Sequence, residues 1–278
     1  MTMRVALFQM TSGTDPVANA DALVDAIAQA KAGGADMLFT PEMAAYLDRD
    51  RARAATLLTA EADNAVLAQV RAAAARAGLW VHLGSIACAG ERADGRWSNR
   101  SLMIDDSGAI RARYDKMHLF DVDLATGESW RESAVYGPGE ALVTVDTPWA
   151  RMGLSVCYDL RFPDLYRALT NAGATVLLIP AAFTVPTGAA HWHVLLRARA
   201  IEAGAFVIAA AQTGAHEDGR VTYGHSLVVD PWGTVLLDMG TAGGIGFADI
   251  DLAQVADVRA RIPAIANRRP VPAKVTQA

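Results

Sequence analysis

The chain has 278 residues, 52% of them hydrophobic and 20% charged, with a net charge of −5. This is a globular composition, long enough to bury roughly three-quarters of the unfolded surface without disulfide staples. It excludes a disordered chain, and the mildly acidic balance without a basic stripe argues against a nucleic-acid partner.

The opening residues, MTMRVALFQMTSG, hold only a short apolar run, so a first strand is expected there rather than a signal peptide. No window approaches the ~20 apolar residues of a membrane span. Two cysteines, Cys88 and Cys157, are too few for a disulfide framework, and a reduced, cytoplasmic setting is expected.

RVALFQM (4–10) has the character of a buried strand. A helix over 16–33 follows, with Asp15 as N-cap, Pro16 at its first position and Gly33 as its stop. ADMLFTPEM (35–43) predicts a strand ended by Pro41, and 61–77 predicts one Ala-rich helix closed by Gly78. Strands are expected at 79–87, 97–105 and 109–120, the last two joined by Asp106-Ser107-Gly108. RMGLSVCYD (151–159) predicts another strand, and Pro163 opens a helix over 163–171. NAGATVLLIPAAF (171–183) repeats the outline of AGGADMLFTPE (32–42): helix end, Gly, Ala, apolar strand, Pro. A helix over 190–203, a strand over 205–212, a hairpin over 226–239 turning at Pro231-Trp232-Gly233, a strand over 246–251 and a helix over 252–261 complete the pattern. We expect one domain over 1–278, with 262–278 as a Pro-containing C-terminal tail. Strands alternating with amphipathic helices imply a layered α/β fold.

Three residues stand at strand ends where chemistry is possible. Cys157 ends the apolar run LSVC. It reads either as a buried strand cysteine or as a nucleophile presented beside main-chain N–H groups. Glu42 follows an apolar strand; it is either a solvated loop carboxylate or a general base whose proton affinity burial would raise. Lys116 is one of only three lysines among 25 basic residues, with Lys31 and Lys274. Where a surface cation suffices the chain mostly uses Arg, so a mid-chain lysine hints at a required ammonium, for instance beside an oxyanion.

The order Glu, Lys, Cys along the chain resembles the nitrilase superfamily of carbon–nitrogen hydrolases. FTPEM, RYDKMHLFD and SVCYDLRFPDLYRAL are similar to its three catalytic boxes, and the likeness runs from RVALFQM to FADID. PTGAAHWHVLLRARAIEAGAFVIAAAQTG (186–214) and YGHSLVVDPWGTVL (223–236) resemble the Nit subfamily, whose amidases act on deaminated glutathione, with the ω-amidases of α-keto acid amides as relatives.

The resemblance implies a four-layer α-β-β-α sandwich, association into a homodimer or larger oligomer, and no metal or organic cofactor. It also implies Glu42 as base, Lys116 and the main-chain N–H of Tyr158 as oxyanion donors, and Cys157 as nucleophile. A second glutamate is placed at Glu132 in RES, leaving Glu128 as a solvated loop charge. The helix after Cys157 and the C-terminal tail are the expected interface pieces.

Substrates of the Nit amidases carry carboxylates. Arg161, four residues past Cys157, is the candidate cation, with a structural pair to Asp159 or Asp164 as the alternative. Phe183 and Thr184 are expected to line the pocket, and Tyr46 could do so too. His191 and His193 are two apart and do not face each other on a helix, so no metal pair is expected. Nitrilase or N-carbamoyl amino acid hydrolase activity, or a catalytically silent binding homologue, are the competing readings.

Overall fold

A computed structural model describes residues 1–123, 127 and 129–271. Glu128 and the last seven residues of the expected tail lie outside the described residues.

Two six-stranded sheets form the centre. The first orders its strands Gly244–Asp251, Thr2–Gln9, Met37–Phe39, Trp80–Cys88, Ser98–Ile104 and Ile110–Asp115. The second orders Val235–Asp238, Leu227–Val229, Phe206–Ala209, Val176–Leu178, Arg151–Leu154 and Thr144–Asp146. Each sheet has a parallel trio, one antiparallel strand on one side of it and two on the other. The sequence parallel therefore has a structural counterpart. Met37–Phe39 and Val176–Leu178 are the middle strands of the two trios, and both run on into a proline.

Side-chain alternation sorts the layers. Met3, Val5, Leu7, Met37 and Phe39 of the first sheet share one core with Met152, Leu154 and Val176 of the second. Ala6 and Leu38 face the other way, onto Leu23 and Ile27 of helix Pro16–Ala32 and Val66 and Val70 of helix Ala65–Ala77. Helices Pro163–Asn171 and Val185–Ala203 cover the second sheet through Leu165, Leu169, Trp192 and Leu196. This is the expected α-β-β-α sandwich. No described helix is long and apolar enough to cross a membrane.

Several boundaries differ from expectation. The helix expected over 61–77 is a single turn, Glu61–Asp63, and a separate helix, Ala65–Ala77. Asn64 divides them because its side chain accepts from Leu67 N and caps the second helix. The strand expected over 151–159 stops at Leu154, and Cys157 opens a one-turn helix, Cys157–Arg161. The helix expected from 190 starts at Val185, with Pro186 in its first turn. A short helix, Arg51–Leu57, and a hairpin, Asp121–Asp123 with Ser129–Arg131, were not foreseen.

Gly84 marks a close approach between the sheets. A Cβ there would lie 2.0 Å from Thr40 O and 2.5 Å from Pro180 Cβ. The bare glycine lets the segment around Pro41-Glu42 sit against the one around Pro180-Ala182.

Candidate active site

Glu42 and Lys116 leave the C-terminal ends of two like-directed strands of the first sheet, Met37–Phe39 and Ile110–Asp115. Cys157 follows strand Arg151–Leu154 of the second sheet, and Glu132 begins the one-turn helix Glu132–Ala134. The structure brings all four together. Lys116 Nζ lies 3.0 Å from Glu42 Oε1 and 2.8 Å from Glu132 Oε2. Glu42 Oε2 accepts from Ala182 N at 3.0 Å, and Glu132 Oε2 accepts from Phe120 N at 2.6 Å. The Cys157 thiol stands beside the Glu42 carboxylate, close enough for the two groups to perturb each other's titration. Glu42, Lys116 and Cys157 are all buried.

The backbone holds Cys157 in an unusual place. Its φ is 51°, in the left-handed region that costs a non-glycine residue ~1–3 kcal/mol. Cys157 N donates to Pro180 O, and Val156 N donates to Asp159 Oδ2. Asp159 is the anchor here. Its Oδ2 also accepts from Tyr114 Oη at 2.7 Å, and its Oδ1 accepts from His118 N at 3.0 Å and contacts His118 Nδ1 at 2.6 Å. One buried carboxylate thereby ties the segment carrying Lys116 to the turn carrying Cys157.

Burial and charge act in opposition at each group. Burial pushes the Glu42 carboxyl up, but the Lys116 ammonium, with the neighbouring Cys157 thiol and the hydrogen bonds from Lys116 and Asn99, carries it below the ordinary glutamate range. This corrects the expectation that desolvation would leave Glu42 with raised proton affinity. Burial pulls Lys116 down, yet the Glu132 and Glu42 carboxylates together hold it well above its usual value. Burial and then the Glu42 charge push the Cys157 thiol well up, with Lys116 offsetting only part. At neutral pH the site holds a carboxylate beside a protonated thiol and an ammonium. Cys88 is a buried thiol pushed up to about 12, mainly by desolvation.

The three groups form the floor of a cavity of about 310 Å³. Of the expected substrate-binding residues, Tyr158, Phe183 and Thr184 line it, as does Tyr46. Arg161 is not among the lining residues. Its guanidinium lies 3.3 Å from His191 Nδ1 and 5.6 Å from the centre of the Phe183 ring, on which Tyr158 and Phe183 are its aromatic neighbours. It pairs with neither aspartate foreseen as an alternative, since Asp159 is taken by Tyr114, His118 and Val156 and Asp164 faces Arg167.

Sequence reasoning missed Asn99, whose Nδ2 donates to Glu42 Oε1 at 2.9 Å and to Glu132 Oε1 at 3.3 Å. Its position inside strand Ser98–Ile104 carried no signal beyond a polar residue in an apolar run. His193 and His191 indeed diverge. His193 meets His225 and Asp238, whose ligand atoms all lie within 4.8 Å, and Asp238 accepts from both imidazoles.

The family model for carbon–nitrogen hydrolases matches residues 4–260. The chain is 40% identical over 270 residues to a deaminated glutathione amidase of Rattus norvegicus, covering 96% of this chain and 82% of the relative. It is 38% identical over 266 residues to a deaminated glutathione amidase of Yersinia enterocolitica, covering 95% and 92%. The crystal structure of the C. elegans NitFhit protein superposes with a TM-score of 0.88 at 38% identity, covering 96% of this chain and 65% of that longer one.

Proposed function

The chain belongs to the carbon–nitrogen hydrolase family, and on that premise we propose that it is a cofactor-independent amidase using Cys157, Glu42, Lys116 and Glu132. Its substrate is a carboxamide of a small carboxylate-bearing molecule, deaminated glutathione or an α-keto acid ω-amide. The observation that carries this reading is a single carboxylate, Glu42, 3.0 Å from the Lys116 ammonium and beside the Cys157 thiol at the floor of the cavity.

Glu42 takes the thiol proton as the sulfur attacks the amide carbon. The C=O electron pair moves to oxygen, and the oxyanion is held by Lys116 and the main-chain N–H of Tyr158. As second residue of the turn Cys157–Arg161, Tyr158 has no acceptor for that N–H within the turn. The tetrahedral centre collapses, the C–N bond breaks and the nitrogen leaves with the proton from Glu42, as ammonia from an ω-amide or as the amine of cysteinylglycine from deaminated glutathione. Water attacks the thioester on Cys157, giving its proton to Glu42. The C–S bond breaks, the carboxylic acid leaves and the proton returns to sulfur. Glu132 fixes Lys116 through two contacts, at 2.8 and 3.1 Å, leaving the ammonium little freedom to turn away.

We further place the enzyme in a reducing, cytoplasmic compartment as a homodimer or larger homo-oligomer. Both cysteines are free. Val194 and Ile201, seven residues apart on helix Val185–Ala203, are exposed, as is Trp232, whose neighbour Gly233 lies against Ile201.

The test combines cysteinylglycine release from deaminated glutathione and ammonia release from α-ketoglutaramate with mass spectrometry of the quenched enzyme. An acyl adduct on Cys157, absent in Cys157→Ala, is expected. Turnover by Cys157→Ala would overturn the reading. Turnover of nitriles or carbamoyl amino acids in preference to amides would redirect it within the family.

A further inference from the structure

We infer that Arg49, together with Arg220, forms an anion subsite at the mouth of the cavity that receives a carboxylate at the end of the substrate remote from the scissile amide. The inference rests on the amidase reading above and specifies its substrate class.

Three separate segments meet there. Arg49 comes from the loop before helix Arg51–Leu57, Trp130 from strand Ser129–Arg131, and Arg220 from the turn between strands Thr213–Ala215 and Val221–Tyr223. All three residues line the cavity that has Glu42, Lys116 and Cys157 at its floor. The Arg49 Cζ lies 4.8 Å from the Trp130 ring centre and the Arg220 Cζ 5.2 Å from it. Contact with an aromatic face holds a guanidinium in place while leaving its in-plane N–H donors available.

Charge accounting along the wall favours an anion. Glu42 and Glu132 are committed to Lys116, and Asp48 to Arg53 and Tyr46. Arg220 is paired with Asp218, and Arg131 with Asp123. Arg49 faces no carboxylate among the described residues, and it is exposed at the mouth while the reacting groups are buried. A guanidinium so placed recognises a carboxylate through paired N–H donors. A carboxamide of about five heavy atoms would fill only part of a cavity of 310 Å³, which has room for roughly ten waters. The fitting substrate is therefore an extended one, with its amide at Cys157 and an anionic terminus at Arg49.

Deaminated glutathione and its glycine methyl ester differ only in that terminal charge. The experiment measures kcat/KM for release of the cysteinylglycine amine, free acid or methyl ester, from both, in wild type, Arg49→Gln, Arg49→Lys and Arg220→Gln. Wild type is expected to prefer the free acid at least tenfold. Arg49→Gln should lower the acid-to-ester ratio by about 10–100-fold, the range of one charged hydrogen bond. Arg49→Lys should give an intermediate ratio, because it keeps the charge without the planar fork, and Arg220→Gln should also lower it. Arg49 is exposed on a loop, so the fold is not at stake. Equal wild-type rates, or a ratio unchanged in Arg49→Gln, overturn the subsite while leaving the amidase reading intact. Failure of wild type to cleave the amide of either compound would instead sink the underlying reading.

Discussion

Asn99 Nδ2 sits 2.9 Å from Glu42 Oε1 and donates to it without adding charge. The same amide reaches Glu132, so one neutral residue bridges the two carboxylates that flank Lys116. Asn99→Asp would place a third carboxylate in that cluster and raise the proton affinity of Glu42. The acid limb of the pH–rate profile should then move upward. Asn99→Ala should lower kcat about 10–100-fold with little change in KM, if the amide positions the base without touching substrate. An acid limb that stays in place in Asn99→Asp would contradict the bridge.

The wild-type pH profile follows from the same charges. Glu42 is held below the ordinary glutamate value of 4.5, so activity should fall only beneath that pH. Lys116 is held above 10.5, so loss of its charge should not limit activity below it. The sign for stability is equally definite. Lowered Glu42 contributes stability that is fully present above 4.5 and lost as pH falls through its folded value. Raised Lys116 contributes stability that is fully present below 10.5 and lost as pH rises through its folded value. Chemical denaturation at several pH values, comparing wild type with Glu42→Gln, checks the first statement.

Lys116→Arg should lose about 10²–10³ in kcat, the usual cost of one oxyanion donor. The ammonium is wedged between Glu42 and Glu132 within 3.1 Å of both, with only 2% of its side chain exposed. A planar guanidinium has no room to satisfy both partners and still point at the reacting oxygen. Steady-state ammonia release measures this, and near-normal turnover would contradict the oxyanion role.

How much of this was legible in the sequence depends on the range of the interaction. Glu42 follows an apolar strand and Cys157 ends an apolar run, while the scarcity of lysine singled out Lys116 at its strand end. Their convergence was legible only through the family resemblance, since nothing local relates positions 42 and 157. The strand-like run LSVC hid the turn at Cys157, whose left-handed backbone is held by Pro180 O and Asp159 rather than by its own side chain. Arg161 drew attention by proximity in sequence to Cys157, whereas the arginines lining the cavity are Arg49, Arg51, Arg131 and Arg220, and the two that meet the Trp130 ring, Arg49 and Arg220, come from loops with no periodic signal. Asp159 looked like one end of an ion pair, yet three of its four contacts come from Tyr114, in strand Ile110–Asp115 of the first sheet, and His118 just beyond that strand.

That placement makes Asp159 a sharp test of the architecture around the site. Each of its oxygens meets two groups: Oδ2 meets Tyr114 Oη and Val156 N, and Oδ1 meets His118 N and Nδ1. Asp159→Asn keeps the shape but turns one oxygen into an NH2. Whichever way the amide flips, a donor then faces a backbone N–H in a fully buried place. The expected destabilisation is about 3 kcal/mol or more, from at least one unmade buried hydrogen bond and one donor–donor contact. Asp164→Asn, which alters an exposed pair with Arg167, should stay within about 0.5 kcal/mol. Urea unfolding at constant m reads both differences. The functional consequence is distinct from the loss of stability. Cys157 follows Val156, and Lys116 precedes His118 by two residues, so this one carboxylate joins the main-chain segments that carry the proposed nucleophile and the proposed oxyanion donor. The folded fraction of Asp159→Asn should therefore lose kcat as well. A variant that unfolds earlier but turns over normally below its midpoint would show that the two segments are held in register by something else.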